Sequence, residues 1–288
     1  LRRSHALWYA SFAESIEPEL HGQNQRHAVA RLNAERENIW SALRWSLAHL
    51  GEDEGTALRL CGALWIWLQR SHLDESRAWF EKVLEASEGA RPERLARLLH
   101  GLGNFCRLQG DFGEAAAHQE RALTLFREVG DEAGYVRVVQ SLASLLPEMG
   151  EYDRGAALHQ EAAELCRAAG DVVGYARSAN WFGVQAIMLG RFEEAREWLE
   201  EALALYRSAG AEANAMVTVH NLGEVACLVG DLDLAERLSA ESLDTSRRLG
   251  ENLIAPHSIR LRGDIAAARG DREGARGLFR QAAEMHRA

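Results

Sequence analysis

Small and bulky apolar residues return along the chain at one fixed interval. Gly110, Gly150, Gly190, Gly230 and Gly270 stand forty residues apart, and each closes an apolar stretch. Gly130, Gly170, Gly210 and Gly250 repeat with the same period, halfway between them. Aspartate follows at Asp111, Asp131, Asp171, Asp231 and Asp271. A glycine supplies the left-handed residue that closes a helix, and an aspartate after it caps the next one. The pattern predicts helices of about 15–18 residues joined by very short turns, which forces neighbouring helices to run antiparallel.

Three columns of small residues share the period: Gly103, Ala143, Gly183, Gly223 and Gly263; Ala115, Gly155, Ala195, Ala235 and Ala275; Ala122, Ala162, Ala202, Ser242 and Ala282. Bulky positions such as Leu102, Leu142, Phe182 and Leu222 run between them. Small columns on successive helices predict close backbone approach. Five near-regular copies at one period predict an all-α solenoid of stacked helix pairs.

Residues 108–123, LQGDFGEAAAHQERAL, and 189–205, LGRFEEAREWLEEALAL, carry a Gly-Asp-aromatic or Gly-Arg-aromatic turn followed by alanines seven apart. This resembles the tetratricopeptide repeat (TPR), over residues 57–288, with a period of 40 in place of the usual 34. The longer form is similar to the TPR sensor region of bacterial STAND regulators, LuxR-type or SARP-type ATP-dependent transcriptional regulators in which a nucleotide-binding module precedes the array. The segment 31–47, RLNAERENIWSALRWSL, is amphipathic through Leu32, Ile39, Leu43 and Leu47. It resembles the helical entry to such an array, so the regulator resemblance rests on residues 1–91. The expected division is an N-terminal helical segment at 1–56, a degenerate TPR-like hairpin at 57–91 and five repeats at 92–288. The resemblance implies an all-α, TPR-like alpha-alpha superhelix, a right-handed solenoid of antiparallel helix pairs.

Composition narrows the partners. The formal net charge is −10, which disfavours nucleic acid and acidic membrane surfaces as direct ligands. The longest apolar run, Leu60 to Leu68, is far short of the roughly 20 residues that span a bilayer. Cys61, Cys106, Cys166 and Cys227 are too far apart for a zinc ribbon or a disulfide scaffold and fit a reducing cytoplasm. A start at Leu1 in place of methionine is read as an excised piece of a longer protein, whose exposed terminal hairpin, with Leu278 and Phe279, would self-associate weakly.

A search for chemistry returns little. No G-x-x-x-x-G-K-[ST] or H-E-x-x-H occurs, Lys82 is the only lysine, and the acidic runs at Glu193-Glu194 and Glu200-Glu201 fall on polar helix faces. The sequence is read as non-catalytic, without metal or cofactor. Of the tryptophans, those in Leu60–Leu68 are read as core. Trp181 stands where other repeats carry Gly101, Ser141, Asn221 and Leu261, so it either lines a groove or fills a gap.

The TPR resemblance implies that the first helix of each repeat lines a concave groove. The columns expected there read Arg97, Arg137, Arg177, Val217, His257; His100, Gln140, Asn180, His220, Arg260; and Asn104, Ser144, Val184, Glu224, Asp264. The groove residues selected from them are Arg97, His100, Asn104, Arg137, Gln140, Arg177, Asn180, His220, Glu224, Arg260 and Asp264, with Trp181 added from its own column. Three arginines in succession favour an acidic peptide or protein segment as partner. The function expected is a ligand- or partner-sensing module of a larger regulator, the alternative being a free-standing TPR scaffold that bridges two proteins.

Overall fold

A computed structural model describes residues 1–20, 24–69, 73–249 and 254–285, and among them the regular structure is entirely helical. Five helices come first: α1 (Arg2–Leu20), α2 (Gln25–Ala34), α3 (Arg36–Ala48), α4 (Leu50–Leu68) and α5 (Leu73–Glu85). Five pairs follow: α6 (Pro92–Leu108) with α7 (Phe112–Val129), α8 (Glu132–Leu145) with α9 (Tyr152–Ala169), α10 (Val172–Met188) with α11 (Phe192–Ser208), α12 (Glu212–Leu228) with α13 (Leu232–Leu249), and α14 (Ala255–Ala268) with α15 (Arg272–Met285). Gly250, Arg70 and Ser71 at the start of the degenerate hairpin's second helix, and Arg287 at the expected end of the last helix lie outside the described residues. Among the described residues no helix is long and apolar enough to cross a membrane.

The glycine pattern produces the hairpins directly. Gly110, Gly130, Gly150, Gly170, Gly190, Gly210, Gly230 and Gly270 all have positive φ, where a side chain is strained. The amide after each glycine reaches back five residues, as in Asp111 N to Cys106 O at 2.9 Å, Arg191 N to Ala186 O at 2.9 Å and Asp271 N to Ala266 O at 2.9 Å. That bond satisfies a carbonyl the ended helix leaves open and turns the chain into the next helix. Side chains of Asp131, Asp171, Asp231 and Asp271 then accept from the amide three residues on. Asp111 makes no such cap. Its carboxylate is taken by Arg77, which also reaches Glu81 and Glu114 and so ties α5 to the start of α7.

One hairpin departs from the pattern. Pro147 lacks an amide to continue α8, which ends at Leu145 and passes into a 3-10 turn, Leu146–Met149. Gly155 faces that turn: a Cβ there would lie 3.0 Å from the Ala143 carbonyl oxygen and 3.2 Å from Pro147 Cδ. The neighbouring repeats carry alanine at this position.

The chain divides into two compact units, Leu1–Ala162 and Ala163–Ala288. In the first, Ile16, Leu32, Ile39, Leu43, Leu60, Leu64, Phe80 and Phe105 form one continuous core. Leu60–Leu68 lies within it, and Trp40 meets both Trp67 and Trp79 edge-on or tilted. The Trp67 indole donates to Asn33 Oδ1 at 3.0 Å, so its buried N–H is satisfied. Arg59 holds Glu14 through two bonds of 2.8 and 2.7 Å and fastens α1 to α4.

In the second unit Ala179, Leu199, Ala202, Tyr206 and Leu222 fill the space between α10, α11 and α12. Small clusters around Leu261 and Ile265, and around Leu243 and Ile259, continue the core to α14 and α15. The three small columns are buried throughout. They bring first and second helices into the close approach that the periodicity predicts.

Candidate functional site

The groove residues selected from sequence fall into three environments. The first is a buried polar network inside the α6–α7 hairpin. His100 Nδ1 lies 2.9 Å from Gln119 Oε1, and its ring meets the Trp65 ring edge-on at 5.0 Å. Asn104 Nδ2 donates to the His100 carbonyl at 2.8 Å, and Gln119 Nε2 donates to the same oxygen at 3.3 Å. Gln140 on α8 is also buried. His100, Asn104 and Gln119 satisfy one another within the protein, as buried polar groups must.

The second environment holds the arginines. Arg97 donates to Glu17 of α1 at 2.7 Å. Burial pushes the Glu17 carboxyl above the usual carboxylate range, while the charges of Arg97 and Arg137 pull it back down. In the second unit Arg177 hydrogen-bonds the hydroxyl of buried Tyr206, whose pKa burial pushes up to about 12 against the pull of Arg177 and Asn214. Each of the three guanidiniums therefore has a group within the fold to answer to. Trp181 is half-buried, its ring 5.7 Å from that of Phe182.

The third environment lies on the adjoining faces of α10, α12 and α14. Asn180 Oδ1 accepts from Thr218 Oγ1 at 2.9 Å and from Asn221 Nδ2 at 3.1 Å, joining α10 to α12. One turn further, Glu224 accepts from Arg260, and Arg260 also reaches Asp264 at 3.0 Å, joining α12 to α14. His220 lies beneath, 4% exposed, with Nε2 3.6 Å from Glu224 Oε1 and its ring 6.2 Å from His257. His220 Nδ1 is buried and has no hydrogen-bond partner among the described residues.

The structure thus brings together His220, Glu224, Arg260 and Asp264, and sets Asn180 on the neighbouring helix. Thr218, Asn221 and His257 join them without having been selected from sequence. His257 stands in the first of the expected columns, Asn221 in the column of Trp181 and Thr218 beside Val217; nothing in the period shows that their side chains meet a neighbouring helix.

Charge in this cluster is finely opposed. Burial pushes Glu224 up, but His220 and the positive charge of Arg260 outweigh it and hold the carboxyl below its usual range. Burial pushes Asp264 up; Arg260 pulls the other way, and the charge of Glu224 adds to the rise. A depressed carboxyl stabilises the fold above its unfolded pKa of about 4.3 and loses that contribution as pH falls through the folded value. A raised carboxyl does the reverse. At pH 7, Glu224→Gln is therefore expected to destabilise and Asp264→Asn to stabilise slightly, each within about 1 kcal/mol. Both differences should be smaller at pH 3, where protonation of the two carboxyls is further advanced. Urea midpoints at the two pH values check this, and equal signs at pH 7 would contradict it.

Stacked antiparallel helix pairs with glycine-closed turns and small columns define a helical-repeat protein. The sequence matches the tetratricopeptide repeat family over residues 53–128, 135–208 and 213–288, and the chain belongs to that family. Curated relatives named as HTH-type transcriptional regulators, in Mycobacterium bovis and Mycobacterium tuberculosis, are 30% identical over 152 residues, 47% of this chain. The chain matches only 16% of their length.

Three solved structures share the fold. A Rap protein complexed with competence and sporulation factor has a TM-score of 0.71 at 12% identity, covering 99% of this chain and 87% of that one. NprR in complex with its cognate peptide NprX has a TM-score of 0.67 at 17% identity, covering 89% and 75%. A STAND protein with a TPR sensor from Pyrococcus horikoshii has a TM-score of 0.61 at 16% identity, covering 95% of this chain and 43% of that one.

Proposed function

We propose that this chain is a non-catalytic sensing module of a larger bacterial signalling or transcriptional regulator, and that it binds a peptide or protein segment. The binding face proposed is that of α10, α12 and α14. The observation that carries this reading is the run of polar side chains across three successive first helices, from Asn180 through Thr218 and Asn221 to Glu224 and Arg260. Asn180, partly exposed, offers its amide N–H to a peptide backbone, its Oδ1 being taken by Thr218 and Asn221. Arg260 and His257 are exposed beside them and supply the contacts for an acidic residue of the segment.

Two likenesses support the reading. Structures with the same fold are complexes with a cognate peptide or with competence and sporulation factor, and the curated relatives are named as HTH-type transcriptional regulators. Differential binding of the segment to two arrangements of the helices would pass the signal on.

The reading is tested by selecting binders from a random peptide display library against the chain, then measuring them on an Asn180→Ala/Arg260→Ala double variant. The expected loss is at least tenfold in affinity, about 1.4 kcal/mol, with the circular dichroism spectrum unchanged. Selected peptides that bind the double variant as tightly as the parent would overturn the assignment of this face.

A further inference from the structure

Two successive repeats share a three-residue clamp, and the next keeps its two ends without its centre. Tyr135, in the first turn of α8, donates its hydroxyl to Glu161 of α9 at 2.6 Å. Arg127, at the end of α7, donates to the same hydroxyl, and its guanidinium carbon lies 5.0 Å from the ring centroid. Forty residues on, Tyr175 donates to Glu201 at 3.2 Å and accepts from Arg167 at 2.9 Å, with the guanidinium 4.8 Å from the ring centroid. Forty further, the arginine and the glutamate return as Arg207 and Glu241, but the tyrosine position is Ala215.

Without the phenol between them, Arg207 and Glu241 pair directly at 2.9 Å. Beside Ala215 is a cavity of about 200 Å³. Its floor is apolar or neutral, formed by Met216, Val219 and Ser242, all buried. Its rim is charged, with Arg207 and Glu241 on one side and the Arg248–Glu212 pair, 2.8 Å apart, on the other. These rim side chains are about half exposed, from 49% to 57%. Thr245 lines the cavity where the preceding repeats carry Leu165 and Leu205.

We propose that this cavity is a binding site for a para-hydroxyphenyl group. The ring lies over Met216 and Val219 under the Arg207 guanidinium, and the hydroxyl enters between Arg207 and Glu241. The occupant is defined by the protein's own chemistry, since two other copies of the clamp hold that group with the same arginine and the same glutamate. A cavity of about 150 Å³ holds a benzene ring, so the space suffices. The guanidinium attracts the ring face, and the hydroxyl both donates and accepts. The direct Arg207–Glu241 pair is an exposed ion pair that water already screens, so parting it costs little. The group comes either from a free phenol or from a tyrosine of a partner segment, and both present the same chemistry.

The test compares para-cresol, toluene and N-acetyl-tyrosinamide by ligand-observed NMR titration on the whole chain and on two variants. Para-cresol is expected to bind about fivefold more tightly than toluene, the worth of one satisfied hydrogen bond. Ala215→Tyr rebuilds the clamp and should abolish cresol binding. Tyr175→Ala opens a second clamp and should raise the number of cresol sites from one to two, which decides the matter even if the first variant fails to fold. Binding of the amide as well as cresol supports a partner's tyrosine as the source, and binding of cresol alone supports a free phenol. Toluene binding as tight as cresol, cresol binding unchanged in Ala215→Tyr, or an unchanged site number in Tyr175→Ala would overturn the proposal.

Discussion

Replacing Gly183 with leucine is expected to destabilise the second unit by about 3 kcal/mol, the upper range for overpacking a filled core. A Cβ at Gly183 would lie 2.5 Å from Leu199 Cγ, 2.7 Å from its Cδ2 and 3.2 Å from the Ala195 carbonyl oxygen. Leu199 and Ala195 are fully buried, so neither the side chain nor the α11 backbone has space to retreat into. The gain in helix propensity from removing a glycine, about 1 kcal/mol at most, does not offset this. Gly223 belongs to the same column but is less crowded, its nearest contact being the tip of Leu261 at 3.0 Å. Gly223→Leu should therefore cost less than Gly183→Leu. Urea unfolding of the two variants measures the difference, and the reverse order would contradict the packing described for α10 and α11.

A comparable loss is expected in the first unit for Phe80→Ala, about 3–5 kcal/mol. Phe80 is fully buried on α5, and its ring meets Phe105 of α6 edge-on, 4.8 Å between centroids. The approach is close because residue 101 has no side chain: a Cβ at Gly101 would fall 2.7 Å from the Phe80 ring and 2.9 Å from Trp65 Cβ. Truncation to alanine leaves a cavity walled by groups held in place from α4 and α6, which limits collapse. The thermal or urea midpoint checks this. A change below about 1 kcal/mol would mean that α5 does not depend on this contact.

The repeated part of the fold was legible because its turns demand a residue that sequence displays openly. Only glycine takes positive φ without strain, so the forty-residue spacing of Gly110, Gly150, Gly190, Gly230 and Gly270 marks helix ends on sight. The break in α8 was less visible, since Pro147 acts locally and leaves the period intact. The first five helices carry no such period, and their joins depend on long-range pairs such as Arg59 with Glu14.

The candidate site was legible only as columns. A polar residue at helical spacing looks the same whether it faces solvent or a partner inside the fold. His100 and Asn104 turn out to close a network with Gln119, whereas Arg260 and Asp264 remain partly exposed. Arg97 finds its carboxylate eighty residues earlier, at Glu17, in a segment outside the repeats. The loss of tyrosine at Ala215 is plain once the repeats are aligned. That Arg207 and Glu241 stay in place around a cavity is a matter of packing, which a column of letters does not record.

The proposed binding face is that of α10, α12 and α14. Hydrogen exchange of the chain with and without a selected peptide tests it most directly, because exchange reports protection helix by helix. Added protection is expected to concentrate on these three first helices, around Asn180, Asn221 and Arg260. Protection confined to α11, α13 and α15, with the first helices unchanged, would contradict it.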